Sequence, residues 1–319
     1  MWSFRILGPG RLGLVEVSDL GPDELGEEEA LLQVKTVGIC GSDLPKFATA
    51  SPPSADGWPA HELVGTVLAS TDPGLHCGTR VVGIATSHQA LSERVICSTK
   101  TVIPVDDGLD DVVAVLVQPL ATAHAALAKV RALVGAHVSV LGLGGAGLML
   151  GHLAKALGAR YVSGVDLRDH RDVAMAVGFD EVAWSSSFAW CRATQMDTRP
   201  TVVIEAVGHQ VATLNDAVAL VADGGEVVGF GVPDDSQYPL EYKDFFRKNL
   251  SLTAGTTSRW PVHLAEAQHH LVKHPRLAEA LLSRVLPIWE AQRGYIEASR
   301  HTAGVVKVVL DARSALEEG

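Results

Sequence analysis

The chain has 319 residues, 47% of them apolar and 20% charged. This is enough for about two domains with ample cores, and too apolar for a disordered chain. The formal charge of −11 is spread along the chain without a basic stripe, which argues against nucleic acid as a partner.

The first residues, Met1-Trp-Ser-Phe-Arg, lack a basic segment followed by a long apolar core, so no secretory signal is expected. The region from 1 to about 120 reads as mainly β. Short runs rich in Val, Ile and Leu at 31–37, 63–67, 80–84 and 94–97 are separated by Gly, Pro and Asp clusters, the pattern of strands and turns in a barrel-like or twisted unit. The apolar stretches 112–117 and 138–150 are too short or too glycine-rich to span a membrane. Cys40, Cys77, Cys97 and Cys191 are too scattered for a disulfide framework, and a reducing cytoplasm is the expected compartment.

From about Thr122 helices and strands alternate. Helices are predicted at 123–133, 148–157, 171–177 and 211–221, and strands at 137–141, 161–165, 182–184, 201–205 and 226–231. This alternation predicts a doubly wound parallel sheet. After a strand at 250–257 it stops, and residues 260–300 read as helical. The last strand, 304–310, has no place in the parallel sheet and is expected to return to the first domain.

Within that alternation, Val140-Leu-Gly-Leu-Gly-Gly-Ala-Gly147 is a strand ending in a Gly-x-Gly-x-x-Gly turn that opens a helix. Gly142 permits the tight turn, Gly144 lets the backbone approach a pyrophosphate, and Gly147 allows close helix–strand packing. Gly145 and Ala146 complete the turn, and the N-terminal end of the helix faces the phosphates. Asp166 follows at the end of the next strand, 19 residues beyond Gly147, placed to accept the ribose hydroxyls. A carboxylate there repels a 2′-phosphate and favours NAD; Arg168 and Arg171 leave NADP open.

The first domain holds Val37-Gly-Ile-Cys-Gly-Ser-Asp43 and Pro59-Ala-His-Glu-Leu-Val-Gly65. A thiolate, an imidazole and a carboxylate together hold Zn²⁺ with one position open, whereas a lone cysteine in an apolar strand is usually a small buried hydrophobe.

Together with the nucleotide turn, Gly78-Thr-Arg-Val81, Gln118-Pro-Leu120 and Lys307-Val-Val-Leu310, these segments resemble the zinc-dependent medium-chain dehydrogenase/reductase family along the whole chain. The resemblance implies an α/β chain. A chaperonin-10-like, mainly-β catalytic domain (1–122 and 258–319) would accompany a doubly wound Rossmann domain (123–257), with the active site in the cleft between them. It implies zinc ligation by Cys40 and His61, with Glu62 a ligand or an exchangeable neighbour. It places Ser42 beside the substrate oxygen, at the start of a proton relay. Val207 and Gly208 would lie near a ribose of the cofactor, and Phe230 and Gly231 beside the nicotinamide. Asp43 and Lys307 would be structural. Members of the family form dimers or tetramers through the last Rossmann strand.

Three departures stand out. Gln118 occupies the place of a third ligand, and an amide oxygen binds zinc more weakly than a carboxylate; the Gln-Pro-Leu variant resembles sugar dehydrogenases of the family. Pro45 replaces a relay histidine and cannot carry a proton, leaving Ser42, a ribose hydroxyl, water or Lys46. No Cys-x-x-Cys-x-x-Cys lobe exists, so no structural zinc is expected. His124 opens the predicted helix as a cap, packing or substrate residue, while His76, Cys77 and His88 read as solvated loop residues. Leu44, Phe47, Trp58, His88 and Trp260 are expected near the substrate. The reading is an NAD-dependent, zinc-assisted oxidoreductase, moving a hydride between a secondary alcohol of polyol, sugar or cyclitol type and the nicotinamide. The alternatives are a metal-free quinone or enone reductase and a decayed NAD sensor.

Overall fold

The computed structural model describes residues 1–50, 59–300 and 302–313; Trp58, expected near the substrate, lies outside them. The chain forms two compact units, Met1–Ala121 with Arg259–Gly319, and Thr122–Ser258.

In the first unit, strands β1 (Trp2–Gly8) and β2 (Arg11–Glu16) form an antiparallel pair. They precede β3 (Glu29–Gly38), β4 (Glu62–Ser70), β5 (Arg80–Ile84), β6 (Arg94–Ser98) and β7 (Val102–Pro104). The second unit is a six-stranded, all-parallel sheet. Its strands are β8 (His137–Leu141), β9 (Tyr161–Asp166), β10 (Glu181–Trp184), β11 (Val202–Glu205), β12 (Glu226–Gly229) and β13 (Ser251–Ala254), in the order β10-β9-β8-β11-β12-β13. The order reverses between β8 and β11, which is where a doubly wound sheet opens a crevice at its carboxyl edge. Consistent with burial on both faces, these strands are near-continuous apolar runs: Val138, Val140, Leu141, Val203, Ile204 and Val227 are fully buried.

The chain then returns to the first unit as β14 (Leu282–Pro287) and β15 (Lys307–Asp311). Its main sheet runs β14-β15-β3-β4-β5-β7, with β6 also pairing β3. The return of the last strand agrees with expectation; β14 does not, since 260–300 reads as helical throughout. Its residues, Leu282-Ser-Arg-Val-Leu-Pro287, become a strand because they find β15 as a parallel partner. The first helix of the alternation also differs. It spans Val117–Leu127 rather than 123–133, because Pro119 sits in its first turn, where proline needs no N–H partner.

Candidate active site

The strand pairing of the first unit gathers the chemistry. β3 and β4 run antiparallel with Gly38 opposite Glu62, so Cys40, just past the end of β3, meets His61 and Glu62 at the start of β4. β15 runs antiparallel to β3 with Val309 opposite Gly38, and two residues back along it Lys307 comes level with Cys40. A side chain at position 38 would run into Glu62 Oε2, with Lys307 Cε 3.2 Å away; glycine there leaves the room these groups use.

After Cys40 the chain makes a 3₁₀ turn, Gly41–Asp43, and enters the short helix Leu44–Thr49 with Pro45 in its first turn. Asp43 Oδ2 accepts the Cys40 amide at 3.3 Å, and Asp43 Oδ1 lies 3.1 Å from His61 Nδ1. Ser42 Oγ donates to Cys40 Sγ at 3.2 Å. Cys40, His61 and Glu62 each offer a ligand atom within 4.8 Å of the others. Burial opposes a charge on His61, but the Asp43 carboxylate and the Cys40 sulfur outweigh it and raise its pKa well above the ordinary value.

Glu62 is fully buried. Its Oε2 pairs with Lys307 Nζ, which also donates to the Ile39 carbonyl at 3.0 Å. Its Oε1 has no hydrogen-bond partner among the described residues. A buried carboxylate oxygen beside a thiol and an imidazole, unpaired in the protein, is the donor a divalent cation would satisfy. The residues fit zinc on that ground. Gln118 is buried in the first turn of Val117–Leu127.

Several side chains differ from expectation. His88 is no solvated loop residue: its ring stands 5.1 Å from that of His61, and Asp43, His61 and His88 form a second group within 4.8 Å. Backbone bonds Ala85 N to His61 O (2.8 Å) and Ala90 N to Ala60 O (3.1 Å) fold its loop onto His61. Lys307 and Asp43, expected to be structural, contact Glu62 and His61 directly. Phe47 is core, buried and 5.2 Å from the Tyr295 ring. The Tyr295 hydroxyl is buried without a hydrogen-bond partner among the described residues, and burial, then Asp43, Cys40 and Glu62, push its pKa well up. Trp260 begins the helix Trp260–Lys273, His124 lies within Val117–Leu127, and Cys77 is an exposed free thiol.

In the second unit the glycine turn joins β8 to the helix Gly145–Ala156. Gly142 has φ +91°, and a Cβ there would stand 2.7 Å from Val207 Cγ2. A Cβ at Gly147 would strike the Gly142 carbonyl, whereas one at Gly144 would meet nothing within 4 Å. Ala146 follows Gly145 in the first turn of the helix. Asp166 accepts the Leu143 amide at 2.7 Å and the Arg168 amide at 2.8 Å, tying the glycine turn to the end of β9. Arg171 is held bidentately by Asp169, at 2.8 and 2.7 Å. The half-buried Arg168 guanidinium has no ion pair among the described residues, and burial lowers its pKa. At the end of β11, Glu205 Oε1 accepts the amides of Val207 (3.0 Å) and Gly208 (2.9 Å) and the Thr213 hydroxyl (2.9 Å). Phe230 and Gly231, after β12, both donate to the Glu205 carbonyl.

A second unit with a parallel sheet and a glycine-rich turn at its switch point, and a first unit presenting a thiol, an imidazole and a carboxylate, define a zinc-type dehydrogenase of two domains. The comparisons agree. Residues 26–108 match the family model for the alcohol dehydrogenase GroES-like domain, and residues 145–267 the model for the zinc-binding dehydrogenase domain. The chain belongs to the zinc-dependent medium-chain dehydrogenase family, whose members are dehydrogenases of CH–OH groups using a nicotinamide dinucleotide and zinc. It is 26% identical to L-galactonate-5-dehydrogenase of Escherichia coli K12, over 82% of this chain and 85% of that one. Alcohol dehydrogenase TADH of Thermus sp. ATN1 superposes with a TM-score of 0.85 at 25% identity, covering 98% of this chain and 100% of that one. An alcohol dehydrogenase of Escherichia coli CFT073, solved with NADH, gives 0.80 at 21% identity, over 98% and 99%.

Proposed function

We propose that this chain is an NAD-dependent, zinc-assisted dehydrogenase of a secondary alcohol on a polyol, sugar or cyclitol. The observation that carries the reading is the cluster of Cys40, His61 and Glu62 with its unpaired carboxylate oxygen. These three residues would hold one zinc ion, with Gln118 as a weaker neutral donor. Bound zinc supplies Lewis acidity, which lowers the pKa of an alcohol or polarises a carbonyl.

The protein's own residues do the rest. Asp43 accepts from His61 Nδ1, which fixes the ring and leaves Nε2 for the metal. Lys307 holds one oxygen of Glu62 and leaves the other available. Ser42, within hydrogen-bond reach of Cys40 Sγ, is the group that relays the substrate hydroxyl's proton, accepting it while handing its own on to water. Gly142, Gly144, Gly145, Ala146 and Gly147 cradle the pyrophosphate, with Val207, Gly208, Phe230 and Gly231 along the remaining edge. Asp166 accepts the adenosine ribose hydroxyls and favours NAD. With Arg171 engaged by Asp169, Arg168 is the residue that sets the tolerance for NADP. The polyol or sugar class is supported by the likeness to L-galactonate-5-dehydrogenase.

No described helix is long and apolar enough to cross a membrane; we place the enzyme in the cytoplasm, with a small molecule as substrate. It forms a homodimer or homotetramer through β13, an edge strand that exposes Leu252.

The test is NAD reduction over a panel of polyols, sugars and cyclitols with the zinc-loaded protein. A secondary alcohol is turned over, and C40A and H61A lose metal and activity together. Full activity in either variant refutes the mechanism. Enone reduction that survives chelation favours a metal-free reductase instead.

A further inference from the structure

The loops after β11 and β12 carry a feature that the glycine turn and the zinc cluster do not use. His209 Nδ1 lies 2.6 Å from Asp234 Oδ1, joining the two loops at the carboxyl edge of neighbouring parallel strands. His209 has φ +56°, in the left-handed region, which glycine adopts without strain and histidine does not. It follows Gly208, also left-handed at φ +66°, and its amide donates to the Val232 carbonyl at 2.8 Å. The Asp234 amide is bound in turn to the Tyr238 hydroxyl at 3.0 Å. The position is therefore defined by the backbone of both loops. Strain of this kind at a loop residue is one of the features that draw attention to a site. The side chains are 31% and 54% exposed, so the pair faces solvent rather than core.

The chemistry is that of an oriented imidazole. Asp234 accepts from Nδ1–H and so sets the tautomer in which Nε2 carries a lone pair. Nε2 has no hydrogen bond among the described residues. In a doubly wound sheet the ligand lies across the carboxyl ends of the strands, one half on each side of the switch point. Asp166, at the end of β9, marks the adenosine side; β11 and β12 lie on the other side of β8.

We infer that His209, oriented by Asp234, is a cofactor-binding residue whose Nε2 accepts a hydroxyl of the nicotinamide-side ribose. This rests on the dinucleotide reading above and adds to it a contact outside the glycine turn. Neither the metal nor the alcohol enters, so it is testable without a substrate.

The experiment measures dissociation constants for NADH, by its fluorescence, and for 5′-AMP, by calorimetry, in the wild type, His209→Gly and Asp234→Asn. Glycine suits the left-handed backbone, so the first variant keeps the loop, and the second alters only the partner. The inference predicts about tenfold weaker NADH binding in His209→Gly, as for loss of one oriented hydrogen bond. It predicts a smaller loss in the same direction in Asp234→Asn, and 5′-AMP binding within twofold of wild type in both. Equal losses for both ligands mean that the pair merely props the loops, and unchanged NADH binding means that His209 does not touch the cofactor; either overturns the inference. If the wild type binds neither ligand, the dinucleotide reading falls as well.

Discussion

Replacing Lys307 by methionine strips a buried carboxylate of its cation and keeps most of the side-chain volume. The Glu62 side chain is fully buried and that of Lys307 is 6% exposed, so water cannot take the place of the ammonium. Breaking such a pair from one side costs about 3–5 kcal/mol. In the chelated protein, with roughly 2–4 °C per kcal/mol for a unit of this size, K307M lowers the melting temperature of the first unit by about 6–20 °C. Two companion measurements separate the pair from general damage. In E62Q/K307M no orphaned charge remains, and most of the stability returns. Added zinc, whose charge substitutes for the ammonium beside Glu62, narrows the gap between K307M and wild type. Scanning calorimetry of the three proteins, with and without zinc, reads all of this. A shift below about 2 °C in chelated K307M, or a double variant no better than the single, refutes the assignment of Glu62 as a charged group held by Lys307.

Gly147→Ala places a methyl against the Gly142 carbonyl. It weakens NADH binding at least tenfold and lowers stability by about 1–3 kcal/mol through overpacking, whereas Gly144→Ala, with open space around it, folds normally and loses cofactor affinity. Equilibrium unfolding and fluorescence titration check both. Burial depresses the pKa of His170, an effect that Asp166 opposes. Its neutral form is therefore favoured in the folded chain, and its contribution is complete above the unfolded value of about 6.5 and is lost as pH falls below it. The stability margin of wild type over H170N therefore shrinks as pH falls from 7.5 to 5.5; a margin that does not change with pH refutes this role for His170. R168A, which removes a guanidinium without an ion pair among the described residues, lowers kcat/KM for NADP about tenfold while changing that for NAD less than threefold. Equal effects on both would assign Arg168 to structure alone.

The nucleotide turn was legible because its physics is local. Gly142 answers to its φ of +91° and Gly147 to its close approach to the Gly142 carbonyl, both set within a few residues, and the flanking strand and helix are continuous in sequence. The metal cluster was legible only through family resemblance, since Cys40 and His61 meet through the β3–β4 register. What escaped depends on long-range pairing. β14 is a strand only because β15 lies beside it, and local spacing favoured a helix. His88 reads as a loop residue because the backbone bonds that fold it onto His61 join separate elements. Lys307 did leave a signal: a lysine inside Gly304-Val-Val-Lys-Val-Val-Leu310 must be buried with the strand, and a buried lysine requires an anion. The helix predicted at 123–133 begins earlier, at Val117, because Pro119 fits its first turn.

The central claim is that Cys40, His61 and Glu62 still form a zinc site although Gln118 stands where a stronger ligand is common. Elemental mass spectrometry of chelator-washed protein, reconstituted with zinc and freed of excess metal, tests it directly. The account predicts about one zinc per chain, falling to near zero in C40A. No retained zinc, or the same content in C40A as in wild type, would contradict it.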